Sequence, residues 1–173
     1  MRTVLLLLLA LLALPGAALA QGVMPETEAK DLEGTERVLP RDLWGEVNLL
    51  IIAFEREQGE AIDSWRAVAK KQRETHPKLD YYGIPVLPSA LFLLGRPIRS
   101  GMRDQYTAEI ERVRILLMFT NPGELRESLQ VGEGTAVRAV LVDKAGKVLW
   151  WTSGKATDAS GAAFSAAVAK ALP

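Results

Sequence analysis

The chain has 173 residues, with 21 basic and 21 acidic side chains, one histidine and no cysteine. Without a thiol it has no nucleophile for disulfide exchange or peroxide reduction, so thiol redox chemistry is excluded by composition. The near-zero net charge offers no broadly basic surface, so neither a nucleic acid nor an anionic membrane is the expected partner.

The first twenty residues read as a Sec signal peptide. Arg2 supplies the positive end, Val4 to Leu14 the apolar core, and Ala18-Leu19-Ala20 an A-x-A cleavage site before Gln21. The apolar run is shorter than the roughly 20 residues a membrane span needs. The expected product is periplasmic or secreted. Without the leader, 20 basic residues (21 less Arg2) face 21 acidic ones, a net charge of −1.

Residues 21–30 are polar and read as a mobile segment, and residues 31–173 as one domain. Asp31 to Gly34 and Arg37 to Pro40 could form a short hairpin ahead of the core. Asn48 to Phe54 is the strongest strand, apolar and free of Gly and Pro. A loop, Glu55 to Glu60, precedes a helix over 61–75. There Ile62, Trp65, Val68, Ala69 and Gln72 share a face and Pro77 enforces the stop. Leu79 to Leu87 reads as a strand that Pro85 and Pro88 confine to its first half. Ser89 is placed to cap a short helix over 90–94, which Gly95-Arg96-Pro97 breaks, and a further helix is expected over 101–110. Arg112 to Phe119 reads as a strand. Asn121-Pro122-Gly123-Glu124 has the cap and first-turn residues of a helix ending near Gln130.

Ala136 to Val142 is an apolar run interrupted only by Arg138, as in a strand buried on both faces. Asp143 to Gly146 is a turn, and Lys147 to Trp151 returns as a second strand. A last helix, over 157–172, carries an apolar stripe from Ala163, Phe164, Ala167, Val168 and Leu172. The order β-α-β-α-β-α-β-β-α is an α/β fold with a mixed sheet.

The residues Gly134-Thr135, Val140-Leu141-Val142-Asp143 and Gly146-Lys147-Val148, followed by a strand and a last helix, resemble the C-terminal half of thioredoxin-like proteins. "LWGEVNLLIIAF" (43–54) resembles the entry strand of that fold. The implied architecture is a thioredoxin-like mixed sheet flanked by helices, with a short N-terminal hairpin extension. In redox members a cis-proline follows that threonine and faces a CxxC motif. Here Ala136 follows Thr135, and a trans bond is expected. The stretch from Arg96 to Gly134, with "GELRESL" at 123–129, and "VLVDKAGKVLWWTSGKAT" at 140–157 are similar to the mitochondrial ATP-synthase assembly factor family. That family lacks a conventional CxxC site and binds membrane subunits during assembly. The resemblance covers residues 47–172.

Other site chemistry is weakly signalled. His76 stands alone beside Pro77. Glu55, Glu57 and Glu60 match no metal loop, and an acid-rich helix N-terminus explains them. There is no G-x-S-x-G and no phosphate-binding loop. No catalytic residue, cofactor or metal is expected. The favoured reading is a non-catalytic protein-binding module, with a membrane-protein client implied by the resemblance. Its candidate contact residues are Glu55, Gln58, Thr135 and Ala136 at the former active-site end, Arg96, Arg99 and Arg103 in a basic segment, and Trp151. Trp150 and Trp151, adjacent in a strand, point to opposite faces, one to the core and one to an exposed anchor. The alternative is an enzyme or small-ligand binder with a non-thiol site built from Glu55, Glu57 or Arg99. A flat surface around Glu55 to Glu60 favours the first, a cleft the binding of a ligand.

Overall fold

The computed structural model describes residues 22–173; the expected signal peptide lies outside them. Seven strands form one sheet in the order β2-β1-β5-β4-β3-β6-β7. Inside it lies β3 (Val47–Ala53), buried along its whole length, including its one polar residue, Asn48, whose side chain bonds the Gly45 backbone. It pairs in parallel with β4 (Leu79–Leu87) and antiparallel with β6 (Arg138–Asp143). The hairpin closes on Gly146, whose φ of 81° suits glycine, and continues into β7 (Val148–Ser153).

Because side chains alternate along β3, its two faces feed two cores. Leu49 and Ile51 meet Trp65 and Ala69 of α1 (Gly59–Thr75) and Phe164 and Val168 of the terminal α5 (Asp158–Ala171). Trp65, Trp150 and Phe164 pack mutually, with ring centroids 5.7–6.1 Å apart. The Trp65 indole N–H donates to the Gly154 carbonyl at 2.8 Å. Leu50 and Ile52 face the other side. There Leu125 and Leu129 of α4 (Pro122–Leu129) and Met24, Leu39 and Leu43 from the N-terminal region close the layer. Asn121 caps α4 as its sequence predicts, its side-chain oxygen accepting from the Gly123 N–H at 2.9 Å.

Several boundaries differ from expectation. Thr27–Asp31 is strand β1, paired with β2 (Glu36–Leu39) and with β5 (Leu116–Phe119). The hairpin thus starts four residues before Asp31, and most of its first strand comes from the stretch read as mobile. Its polar residues suit an edge hairpin whose two strands bury only Ala29, Asp31 and Leu39. Pro85 does not end β4. It sits between the isolated Gly83/Ile115 bridge and the Val86↔Met118 pairing, so it interrupts contact with β5 and leaves pairing with β3 intact.

Gly95-Arg96-Pro97 does not break a helix but begins one, α2 (Gly95–Arg103), directly after a 3-10 turn at Ser89–Leu94. Pro97 lies in the first helical turn, where backbone N–H groups have no intrahelical partner. Gly95 is needed because the Phe119 ring would sit 2.9 Å from any Cβ. The helix expected over 101–110 is instead the end of α2 and a short α3 (Glu109–Arg112), and β5 begins only at Leu116.

Candidate functional site

The C-terminal ends of β3 and β4 open into a cleft of about 540 Å³ between the start of α1 and the flank of α2. Its walls are mainly apolar: Phe54, Ile62, Leu87, Ile98 and Met102, with Tyr106 at one end. Glu55, Arg56 and Gln105 supply the polar atoms of its lining. Ile98 and Met102 are one helical turn apart, so one face of α2 forms a whole wall. Burial pushes the Tyr106 hydroxyl above its ordinary range, and the Arg66 guanidinium lies 5.2 Å from its ring.

Beside the cleft, Gln58 joins two loops. Its carbonyl oxygen accepts from the backbone N–H of Phe54 at 2.9 Å and of Glu55 at 3.3 Å, and its amide donates to the Thr135 carbonyl. The partner loop is gripped from within by Arg138. The residue is 3% exposed, and its guanidinium donates to the carbonyls of Val131 at 2.8 Å, of Ala136 at 2.6 Å, and of Glu133. It has no carboxylate within 4 Å among the described residues. Burial first, and then the nearby Arg126, pull its pKa below the ordinary arginine range. Arg126, on α4, lies 5.0 Å from the centre of the Phe54 ring, and its buried Nε has no hydrogen-bond partner. The Thr135–Ala136 peptide is trans.

Four sequence candidates therefore come together: Glu55, Gln58, Thr135 and Ala136. Arg96, Arg99 and Arg103 lie along α2, away from that junction. Arg103 pairs with Glu33 at 3.1 Å, and Arg112 shares the same carboxylate. Trp151 belongs elsewhere. It is half-buried against the α4-side core and lies over Gly132, while Trp150 is half-buried on the α1 side. The two do point to opposite faces, but neither is the exposed anchor expected of one of them. Glu55, Glu57 and Glu60 do not converge as metal ligands. Among the described residues no three His, Asp or Glu side chains group that way, and Glu60 is paired with Lys155.

Sequence reading missed the cleft wall itself. Its signal was present in the four-residue spacing of Ile98 and Met102, hidden by the assumption that Gly95 and Pro97 break the helix. It also missed Arg138 as the holder of the loop, although a lone arginine in an apolar strand is the kind of exception that marks such a role.

No protein-family model and no curated protein sequence matches this chain. Solved structures do. BsSco, a member of the Sco family of cytochrome c oxidase assembly proteins, superposes with a TM-score of 0.60 at 16% identity, over 88% of this chain and 94% of its own. Copper-bound ScoI of Arabidopsis thaliana gives a TM-score of 0.60 at 12% identity over 87% of this chain and 99% of its own. A putative thiol:disulfide interchange protein DsbE from Chlorobium tepidum gives 0.57 at 18% over 90% and 100%. Identities this low speak to architecture alone, and with the mixed sheet and its flanking helices they show that this cysteine-free chain has a thioredoxin-like fold.

Proposed function

We infer that this protein is a non-catalytic binding module that holds a segment of a protein partner in the cleft between α1 and α2. The Glu55 to Glu60 end is a cleft and not a flat surface, the outcome that the sequence reading tied to ligand binding; what supports a protein segment as that ligand is the length of apolar wall, Phe54, Ile62, Leu87, Ile98 and Met102. Such walls accept apolar side chains, and specificity then falls to the few polar groups at hand, Glu55, Arg56 and the Gln58–Thr135 junction. No thiol is present to react with what is bound. An exported protein acting in assembly of a membrane complex is the specific version we favour. It draws on the similarity of residues 96–157 to the mitochondrial ATP-synthase assembly factor family, and BsSco, of like fold, belongs to a family of oxidase assembly proteins.

A photo-crosslinking residue at Met102, in the cleft, is compared with one at Lys170 on the far end. The expected result is one envelope protein captured at 102 only, and lost when Ile62→Arg puts a charge in the cleft. Equal capture at both positions, or capture indifferent to Ile62→Arg, would refute the reading. The cleft volume also suits a drug-sized apolar molecule. A small ligand seen by native mass spectrometry and displaced by Ile62→Arg, with no protein captured, would decide for that second reading.

A further inference from the structure

Outside the cleft, one surface combines features that nothing above explains. Phe92, Leu93 and Leu94 are consecutive and 60%, 89% and 52% exposed. They make up half of the exposed large apolar side chains among the described residues, so the exposure is concentrated rather than scattered. They occupy the 3-10 turn that runs without a break into α2. Arg96, Arg99 and Arg103 follow at steps of three and four from Leu93, a single line about 15 Å long. The stretch from Ser89 to Arg103 contains no acidic residue. Glu33 pairs with Arg103, and among the described residues neither Arg96 nor Arg99 has a carboxylate within 4 Å.

We propose that this turn and helix form a peripheral docking surface for an anionic lipid bilayer, with Leu93 at the inserted tip and Arg96 and Arg99 against the phosphates. The shape favours a bilayer over a folded partner. Protein hot spots fill desolvated pockets, whereas here Leu93 is 89% exposed, with Phe92 beside it set edge-on to Phe119. A tip of Phe and Leu flanked by guanidiniums matches the layering of an interface, where acyl chains lie beneath anionic headgroups. The near-zero charge of the whole chain does not oppose this, since attraction to a charged surface acts within a Debye length, about 10 Å at 0.1 M salt. The docking surface stands apart from the cleft and holds whether or not the cleft takes a protein segment.

The absence of cysteine makes the test direct, because a single introduced thiol is the only one in the full chain. Leu93→Cys is labelled with an environment-sensitive fluorophore. Lys170→Cys, at the other end of the sheet, is the control. Each is titrated with phosphatidylcholine vesicles, with or without phosphatidylglycerol, and with polyglutamate. The expected result is a blue shift for the 93 label alone, with anionic vesicles alone, weakening as salt rises. Arg96→Gln with Arg99→Gln should weaken partitioning by roughly 25-fold, about fivefold for each charge. Four results would overturn the proposal: no shift; an equal shift at position 170 or with neutral vesicles; a shift that grows with protein concentration alone, which marks self-association; or a shift with polyglutamate and not with vesicles, which assigns the surface to an acidic protein.

Discussion

Arg138→Met removes the guanidinium that holds the loop bearing Thr135 and Ala136 and keeps most of the hydrocarbon stem. Three backbone carbonyls lose a donor. Val131 is buried, so its carbonyl has no ready access to water, and leaving it unpaired costs about 1–3 kcal/mol. Glu133 and Ala136 are exposed, and their carbonyls can turn to solvent, so each loses only the net worth of a bond, about 0.5–1.5 kcal/mol. Against this stands relief from burying a charge with no carboxylate partner. The balance is a loss of about 2–3 kcal/mol, less than the 3–5 kcal/mol for breaking a buried ion pair. At this chain length that lowers Tm by roughly 4–12 °C. Arg138→Lys should recover little, since one ammonium cannot reach three carbonyls set around a planar fork. Urea unfolding of the three proteins measures the differences. A change within about 0.5 kcal/mol for Arg138→Met would show that the loop holds itself, and would refute the role given to this side chain.

At the opposite end of β4, Arg114 donates to Asp80 at 2.9 and 3.3 Å, with both residues buried. Asp80→Asn should cost about 3–5 kcal/mol, and Asp80→Leu combined with Arg114→Met much less, because no lone charge remains; a thermal-melt double-mutant cycle reads the coupling. Gly45→Ala would set a Cβ 2.4 Å from the Val47 carbonyl oxygen and 2.7 Å from the Asp80 nitrogen. Both are backbone atoms that cannot step aside, so a loss above about 3 kcal/mol is expected in denaturant titrations. The hydrogen bond from Arg112, then the charges of Arg103 and Arg112, hold the Glu33 carboxyl below the usual glutamate range despite some desolvation. The folded value is the lower one, so its stabilisation is complete above the usual range and disappears as pH falls through the depressed value. Glu33→Gln should therefore flatten the acid limb of the stability–pH curve and leave its slope above neutrality unchanged.

Much of the architecture is legible from periodicity because the central elements obey one rule each. β3 is apolar at every position but Asn48 and is buried at every position. α1 and α5 carry three- and four-residue stripes, and those stripes meet the sheet except at Ala163, which is exposed. The readings that failed rest on single residues whose meaning depends on position. Pro85 and Pro97 both read as breaks, yet one falls where a ladder is already interrupted and the other where a helix has no bond to lose. Thr27 to Lys30 are too polar to suggest a strand, and they become one because β2 and β5 offer backbone partners on both sides. Propensity cannot see a partner distant in sequence. Trp151 shows the same limit. Alternation correctly set it on the face opposite Trp150, but whether that face is open depends on the loop at Gly132, which is fixed by Arg138.

The site shows why the fold does not need sulfur to keep its shape there. In this chain the loop after β3 and the loop before β6 are joined through Gln58 and Thr135, and the second loop is held from inside by Arg138. That is two side chains making six hydrogen bonds to backbone atoms. An amide and a guanidinium used this way act in positioning the two loops. What remains open is the cleft beside them, whose walls are hydrocarbon. Rigid loops next to an apolar groove suit selective binding, because a site already in place loses less entropy when it is filled. The same logic ties the cleft to α2, whose one face builds the cleft wall while another carries the arginine line. A charge introduced at Ile98, on the same cleft wall, should therefore abolish capture at position 102 without changing the emission of a label at position 93. If both responses fell together, cleft and docking surface would be one site and the separation drawn between them would fail.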